Sequence, residues 1–327
     1  MSMFGVWRIV VLVSLCVLSA CGATTALVPT PTVVVAPATE TPVSVVPATA
    51  TMVAATATTV PATETAIVAP VVPAPGMGLN PAPLAAVQTI VDYYTAINAQ
   101  QYPAAYKLWD NPSQTLAQIT SVFTGTVESR VRIGDPDVAV DVVTLPVTIT
   151  AIVNQANGDQ KVQYFAGTYT VKNNLITDTT IAEVAVPTSS DDSDAAQLVA
   201  NYYAAINELK FGMAYTLWFN NGSDSQLPYA GFVQSLAPIQ GAVVTTGTVQ
   251  EEGAMGSTYA TVPTVSVTTQ ADGTALVMCG TYTLRHVNVQ PFDQLGWRIT
   301  QVAMNPVAGA KSDAPSIQKL LTSGCTP

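Results

Sequence analysis

Tyr93-Tyr94-Thr95-Ala96-Ile97-Asn98 returns as Tyr202-Tyr203-Ala204-Ala205-Ile206-Asn207, and this pair of stretches decides the fold. Each copy is followed at the same distance by an echo, Tyr106-Lys107-Leu108-Trp109 and then Tyr215-Thr216-Leu217-Trp218. The register holds without a gap from Ile90 against Val199 to Phe123 against Phe232. Aromatic spacing kept over that length means one structural unit built twice.

Working outward, Val87, Ile90, Val91, Tyr94 and Ile97 fall at spacings of three and four, with Asp92 and Asn98 off the stripe. That pattern predicts an amphipathic helix. A second short helix carries Tyr102, Ala105, Tyr106 and Trp109, with Pro103 in its first turn. Asn111-Pro112-Ser113 ends it, and Ser113 is placed to cap a third helix bearing Leu116, Ile119 and Phe123.

From Gly125 the period changes to two. Thr126 to Ile133 reads as a strand, Asp135-Pro136-Asp137 as a turn, and Val138, Val140 and Val142 as an alternating run. Leu145, Val147, Ile149 and Ala151 continue that alternation. Asn157-Gly158 is a hairpin signal, and Lys161 to Lys172 and Ile176 to Val186 complete a sheet. The second copy replays the order. Ala196, Val199, Tyr203 and Ile206 make its helical stripe, and Asp272-Gly273 stands where Asn157-Gly158 stood. Gly280-Thr281-Tyr282-Thr283 matches Gly167-Thr168-Tyr169-Thr170, and Trp297-Arg298-Ile299 leads into the last strand. Helices followed by an antiparallel sheet is an α+β order.

The Tyr-Tyr-x-Ala-Ile-Asn, Ala-Tyr-x-Leu-Trp, Gly-Thr-Tyr-Thr and Trp-Arg-Ile motifs resemble the NTF2-like (SnoaL-like, cystatin-like cone) superfamily, particularly its tandem extracytoplasmic bacterial lipoproteins. The resemblance implies two tandem cones, each of about three N-terminal helices packed on a curved antiparallel sheet with a pocket between. Its motifs mark a fold and no chemistry. The expected organisation is a first cone over residues 84–186, a linker over 187–194, a second cone over 195–307 and a tail over 308–327. Asp194 is placed to cap the first helix of the second cone.

The N-terminus has its own grammar. Arg8 precedes an apolar run from Ile9 to Leu18, too short to span a bilayer and fitting a signal-peptide core. Leu18-Ser19-Ala20-Cys21 resembles the bacterial lipobox, which implies that Cys21 becomes the acylated (palmitate-bearing) N-terminus of the mature chain; the alternative is an ordinary cleaved signal over residues 1–21. Residues 22–83 are rich in Pro, Thr, Ala and Val, contain no aromatic residue, and carry Glu40 and Glu64 as their only charges. Prolines this frequent deny a strand its ladder donors, so an extended stalk is expected. The implied location is the extracytoplasmic face of the cell membrane, reached through the lipid.

Composition excludes some partners. The formal charge is −10, with nine acids against five bases over 84–186 and ten against five from Pro187 onward. No basic stripe serves nucleic acid or anionic headgroups. Nor is there metal-ligand spacing, a phosphate-cradling glycine loop or a Ser/His/Asp set, so no metal and no cofactor is expected.

Enzymes of the resembled superfamily place a carboxylate or His with Tyr donors inside the cone. Here the one histidine, His286, has no counterpart in the first copy, and Asp92 and Asp110 align with Asn201 and Phe219. Asp141 lies on an alternating stretch that points either into the cone or to solvent. Tyr94, Tyr106, Trp109, Tyr203, Tyr215 and Trp218 are candidates to line an interior, either as packing or as ligand contacts. Asn221-Gly222-Ser223 matches a glycosylation sequon and also reads as a turn.

With Cys16 removed and Cys21 acylated, Cys279 and Cys325 remain for a disulfide in an oxidising compartment, the alternative being two free thiols. The strand faces are poor in Lys and Glu, which predicts the two cones packed sheet to sheet within one monomeric chain. The linker, at most about 25–29 Å long when extended, keeps them adjacent. The expected role is a non-catalytic binding or interaction module, taking a small apolar ligand or an envelope protein. The alternatives are an isomerase- or hydrolase-like enzyme using one cone, and a structural envelope spacer.

Overall fold

The computed structural model describes residues 80–187 and 193–326, all within one compact unit. Cys21 and the expected stalk up to Leu79 lie outside the described residues. The fold is α+β: two copies of a helices-then-sheet unit, each with its own antiparallel sheet.

The first copy opens with α1 (Pro81–Asn98), α2 (Tyr102–Lys107) and α3 (Leu116–Phe123). Helix α1 begins three residues before the expected boundary at Leu84. The Asn80 side chain accepts from the Ala82 N–H, and Pro81 sits in the first turn, where its missing N–H costs nothing. The cap of α3 is Thr115 rather than Ser113. Its hydroxyl accepts from the Gln118 N–H while Gln118 reaches back, so two orphan donors are satisfied at once.

The strands are β1 (Thr126–Ile133), β2 (Asp137–Ala139), β3 (Val142–Asn154), β4 (Gln160–Lys172), β5 (Leu175–Thr179) and β6 (Ala182–Val184). Their order is β1-β3-β4-β5, with β2 on β3 and β6 on β4. The alternation read through Val138, Val140 and Val142 breaks at Val140, which turns the chain at φ 54° and is fully exposed.

The second copy comprises α4 (Ala195–Asn207), α5 (Phe211–Thr216), a 3-10 turn over Asn220–Ser225 and α6 (Tyr229–Leu236). Strands β7 (Ile239–Thr246), β8 (Gln250–Ala254), β9 (Ser257–Gln270), β10 (Ala275–Val287) and β11 (Arg298–Pro306) follow, then α7 (Ala314–Thr322). The sheet order is β7-β9-β10-β11, with β8 on β9. Asp194 caps α4 by accepting from the Gln197 N–H.

Irregularities repeat with the motifs. Register shifts fall at Thr126/Glu128 and Thr170/Val171 in the first sheet, and at Ile239/Gly241 and Thr283/Leu284 in the second. Such bulges bend a sheet and increase its twist. The motif glycines have a steric reason. A Cβ on Gly167 would lie 2.7 Å from the Thr180 carbonyl oxygen, and one on Gly280 would overlap that of Ala303.

The residues after 307 are not a bare tail. Asp313 accepts from the Ser316 N–H, and Pro315 stands in the first turn of α7. Ile317, Leu320 and Leu321 pack on Val265, Val267 and Val277. A Cys279–Cys325 disulfide, with its Cα atoms 5.5 Å apart, fixes the helix's far end. Helix α7 therefore covers the outer face of the second sheet, where sheet-to-sheet packing would have placed the first.

The copies meet elsewhere. The first presents α1 and edge strand β1; the second presents α5, the 3-10 turn and α6. Different elements face each other, so the contact has no twofold sense. Its physical cause is the unpaired edge of β1. Asn221, buried at 5% exposure, receives the Val131 N–H at 3.1 Å and donates to the Ser129 carbonyl at 3.1 Å. Edge groups that would seek another strand are closed by a side chain. The Gln88 side chain also accepts from the Tyr229 N–H at 2.8 Å, tying α1 to α6.

Candidate functional site

The interior of each copy is built from the repeated motifs. The Tyr-Tyr doublet places one ring at the centre and one on the sheet. Tyr93 lies edge-on to Tyr94, Trp109, Phe123 and Tyr169, with centroids 5.3–6.3 Å away. Tyr202 lies edge-on to Tyr203 and Trp218 and tilted against Phe232 and Tyr282, at 5.5–6.4 Å. Edge-to-face pairs of this kind add stabilisation beyond area burial.

The second tyrosine of each doublet closes a hydroxyl pair. Tyr94 and Tyr169 share a hydrogen bond of 2.8 Å, and Tyr282 donates to Tyr203 at 2.9 Å. Burial pushes the Tyr93 and Tyr94 hydroxyls well up, and raises Tyr169 to about 12. Tyr202, Tyr203 and Tyr282 are raised for the same reason. Phenols in this state stay protonated at neutral pH.

The motif asparagine holds the assembly shut. Asn98 donates to the Ser129 carbonyl at 2.9 Å and accepts from its N–H at 2.7 Å, pinning the end of α1 to β1. Asn207 makes the same pair with Ala242, both at 2.8 Å, joining α4 to β7. Each third of the fold, helix, echo and late strand, is thus tied to the others by a repeated residue.

The sequence-predicted residues divide. Tyr94, Trp109, Tyr203 and Trp218 come together in the two interiors. Tyr106 is half-buried on α2. Tyr215 is buried on the other side of Phe232, against Tyr229, and donates to the Leu227 carbonyl at 2.8 Å. Asp141 is not interior. It sits in the exposed turn after β2 and pairs with Lys172 at 2.8 Å, which lowers its pKa, the direction opposite to a buried general base. His286 packs its ring on Trp297, with Nε2 2.9 Å from the Asp293 carbonyl oxygen.

Sequence reasoning passed over the central rings Tyr93 and Tyr202, and with them Phe123, Phe232, Tyr169 and Tyr282. All six belong to repeated positions, which was the available signal. Among the described residues no carboxylate and no histidine is buried, and no group of three His, Cys, Asp or Glu side chains could hold a metal. Chemically, the interiors offer rings and protonated hydroxyls.

No protein-family model matches the chain. No curated protein sequence matches it either. Among solved structures, an "Ntf2 like protein involved in plasmid conjugation" is similar at 12% identity. The alignment covers 67% of this chain and 92% of that one, with a TM-score of 0.19.

Proposed function

We propose that this chain is a lipid-anchored, extracytoplasmic interaction module made of two NTF2-like cones, and that neither cone performs catalysis. The observation that carries this reading is the filling of both interiors by the Tyr93 and Tyr202 clusters. A ligand-binding cone keeps concave apolar space with a few convergent polar groups. Here rings occupy the centre and the hydroxyls bond to each other. Binding therefore belongs to the outside, on a sheet face or the helical surface, and a protein of the envelope is the partner class that fits. The lipobox-like Leu18-Ser19-Ala20-Cys21 and the proline-rich stretch after it supply the anchor and the reach.

Native mass spectrometry of the full chain tests the first part. The expected mass is polypeptide plus acyl groups, with no stoichiometric small molecule released on unfolding. A bound apolar ligand that dissociates with the fold would overturn the closed-interior reading. Replacing Cys21→Ser tests the second part, with the protein expected to leave the membrane fraction; retention at the normal level would sink the anchor.

A further inference from the structure

Two Asn-Gly pairs stand in this chain, Asn157-Gly158 and Asn221-Gly222. Asparagine is thermolabile, and most so before glycine, whose nitrogen has no side chain beside it. That nitrogen loses its proton and attacks the asparagine Cγ. The bond from Cγ to Nδ2 breaks, ammonia leaves and a succinimide ring forms. Water then opens the ring to aspartate or to its β-linked isomer, so one water is consumed for each ammonia released. Asn157 lies exposed in the β3–β4 turn. Its Oδ1 accepts from the Asp159 N–H at 3.1 Å and its Nδ2 donates to the Asp159 carboxylate at 2.7 Å, both within the turn. The matching β9–β10 turn already carries the acid. Asp272 Oδ1 accepts from the Thr274 N–H at 2.9 Å, and Gly273 turns the chain at φ 81° as Gly158 does at 89°. Conversion of Asn157 to aspartate therefore yields a turn the molecule uses elsewhere. The carboxylate pair it makes with Asp159 stands in open water, where repulsion is screened.

Asn221 is placed for the opposite outcome. Both it and Gly222 are buried. The Gly222 N–H donates to the carbonyls of Trp218 and Phe219, each at 3.2 Å, so the attacking nitrogen is occupied. The amide it would attack is held on β1 from both sides, by the Val131 N–H and the Ser129 carbonyl. Closing the ring requires that amide to leave β1, and hence the copies to part there. Neither residue of the pair is free to change. Asn221 stands at φ 54°, a region asparagine enters more readily than most side chains, and a Cβ on Gly222 would overlap the Tyr215 ring. The clamp also needs a donor and an acceptor on one side chain. A carboxylate only accepts, so it would meet the Ser129 carbonyl acceptor to acceptor and carry a charge into a buried place.

We infer that Asn221 is a deamidation site gated by the junction: it loses its amide to water only in chains whose two copies have parted, and the acid it becomes keeps them apart. Asn157 converts in the joined chain and leaves the fold as it was. The two sites thus record different things. Asn157 records the age of the molecule, and Asn221 records each separation of its halves.

The test holds the full chain at mildly alkaline pH, well below its melting temperature, and follows both sites by proteolysis and mass spectrometry. Asn157 should convert steadily, and Asn221 at roughly one per cent of that rate or less, as expected of a reaction confined to a minor opened state. In concentrated urea the two rates should converge. Gln88→Ala cuts the tie between α1 and α6 without touching Asn221. It should speed conversion of Asn221 by roughly three- to tenfold and leave Asn157 unchanged. Comparable rates at the two sites in the folded chain overturn the inference, as does an Asn221 that stays slow in urea. An Asn221 rate unmoved by Gln88→Ala also overturns it, because protection would then lie in the turn alone. The consequence is read from Asn221→Asp, expected to melt lower or in two transitions, and from Asn157→Asp, expected to melt like the parent; the reverse result for either overturns that half. Should Asn221→Asp fail to fold, the rates in the parent and in Gln88→Ala decide.

Discussion

The two copies share the residues that build an interior and few of those that make the junction. Asn98 and Asn207, Tyr93 and Tyr202, Tyr169 and Tyr282, Gly167 and Gly280 occupy matching places with matching partners. Asn221, Phe219, Arg130 and Cys279 have no such mates: the aligned positions of the other copy are Pro112, Asp110, Val243 and Ala166. Residues that repeat fold each copy, and, Gln88 with its mate Gln197 apart, residues that do not repeat join or cover them. The clearest divergence is at the outer sheet faces. The second is sealed by α7 and the disulfide, whereas the first copy contributes its strand edge and Arg130 to the contact.

That division can be broken experimentally, first with pH. The six phenols of the two interiors have folded pKa values above their unfolded value of about 10. Above that pH the unfolded chain sheds protons that the folded chain keeps, so stability is intact below it and falls as pH rises through the raised values. Arg130 and Arg298 act in the opposite sense, because their folded values are lowered to about 10 and they release protons on folding above it. The phenols outnumber them, so unfolding monitored by far-ultraviolet circular dichroism should show a net alkaline loss. Since both copies carry three such groups, both should fail in the same pH range.

Removing a central ring comes next. Tyr93→Ala and Tyr202→Ala should each cost about 3–5 kcal/mol, as large-to-small aromatic changes in cores do. Equal losses in denaturant titrations would support equivalence of the interiors, and a twofold disparity would break it. The Cys279–Cys325 bridge has no counterpart. Its loss through Cys325→Ala should cost roughly 4 kcal/mol on the chain-entropy account of a loop this long, with a separation of 46 residues. The loss should fall on the second copy, releasing α7 to proteolysis while leaving the first sheet protected from hydrogen exchange.

How much of this was legible follows the same line. The repeat announced the α+β order, the strand Thr126–Ile133 and most of the buried helical positions, because period and spacing report local structure. The start of α1 was misplaced because Pro81 and Pro83 read as stalk, although Asn80 before a proline is a helix-start signal. Helix α7 was missed although Asp313-Ala314-Pro315 and the spacing of Ile317, Leu320 and Leu321 announce it. Sheet-to-sheet packing was inferred from uncharged faces, and such faces do not say what covers them. The junction was illegible because Asn221 acts across 90 residues on the edge of β1, and its turn-forming sequence hid that. Nothing in spacing alone brings Arg130 to Arg298.

The junction itself gives a smaller effect. Asn221→Ala leaves the Val131 N–H without its acceptor, for an expected cost of about 1–3 kcal/mol. The comparator is Asn207→Ala, which opens a clamp inside one copy. The first should separate the unfolding of the two copies into two transitions; the second should lower only that of the second copy. A single shared transition in Asn221→Ala would mean the join does not depend on this side chain.

The smallest effect is expected at Asp141, and it bears on whether the first copy does chemistry. The residue follows Val140 in the β2–β3 turn, and the matching β8–β9 turn in the second copy is Met255-Gly256. Val140 and Met255 both turn the chain at positive φ, 54° and 38°, so the two tips share a shape without sharing an acid. Asp141 and Lys172 have side chains 57% and 44% exposed, where water and salt screen their attraction. Asp141→Gly would make the first tip resemble the second, and Asp141→Asn would remove the charge alone. Neither should move the melting temperature measurably at physiological salt, and neither should alter the native mass of the chain. A marked loss of stability shared by Asp141→Asn and Asp141→Gly would show the carboxylate holding something beyond its screened pair with Lys172, and would reopen the enzymatic reading.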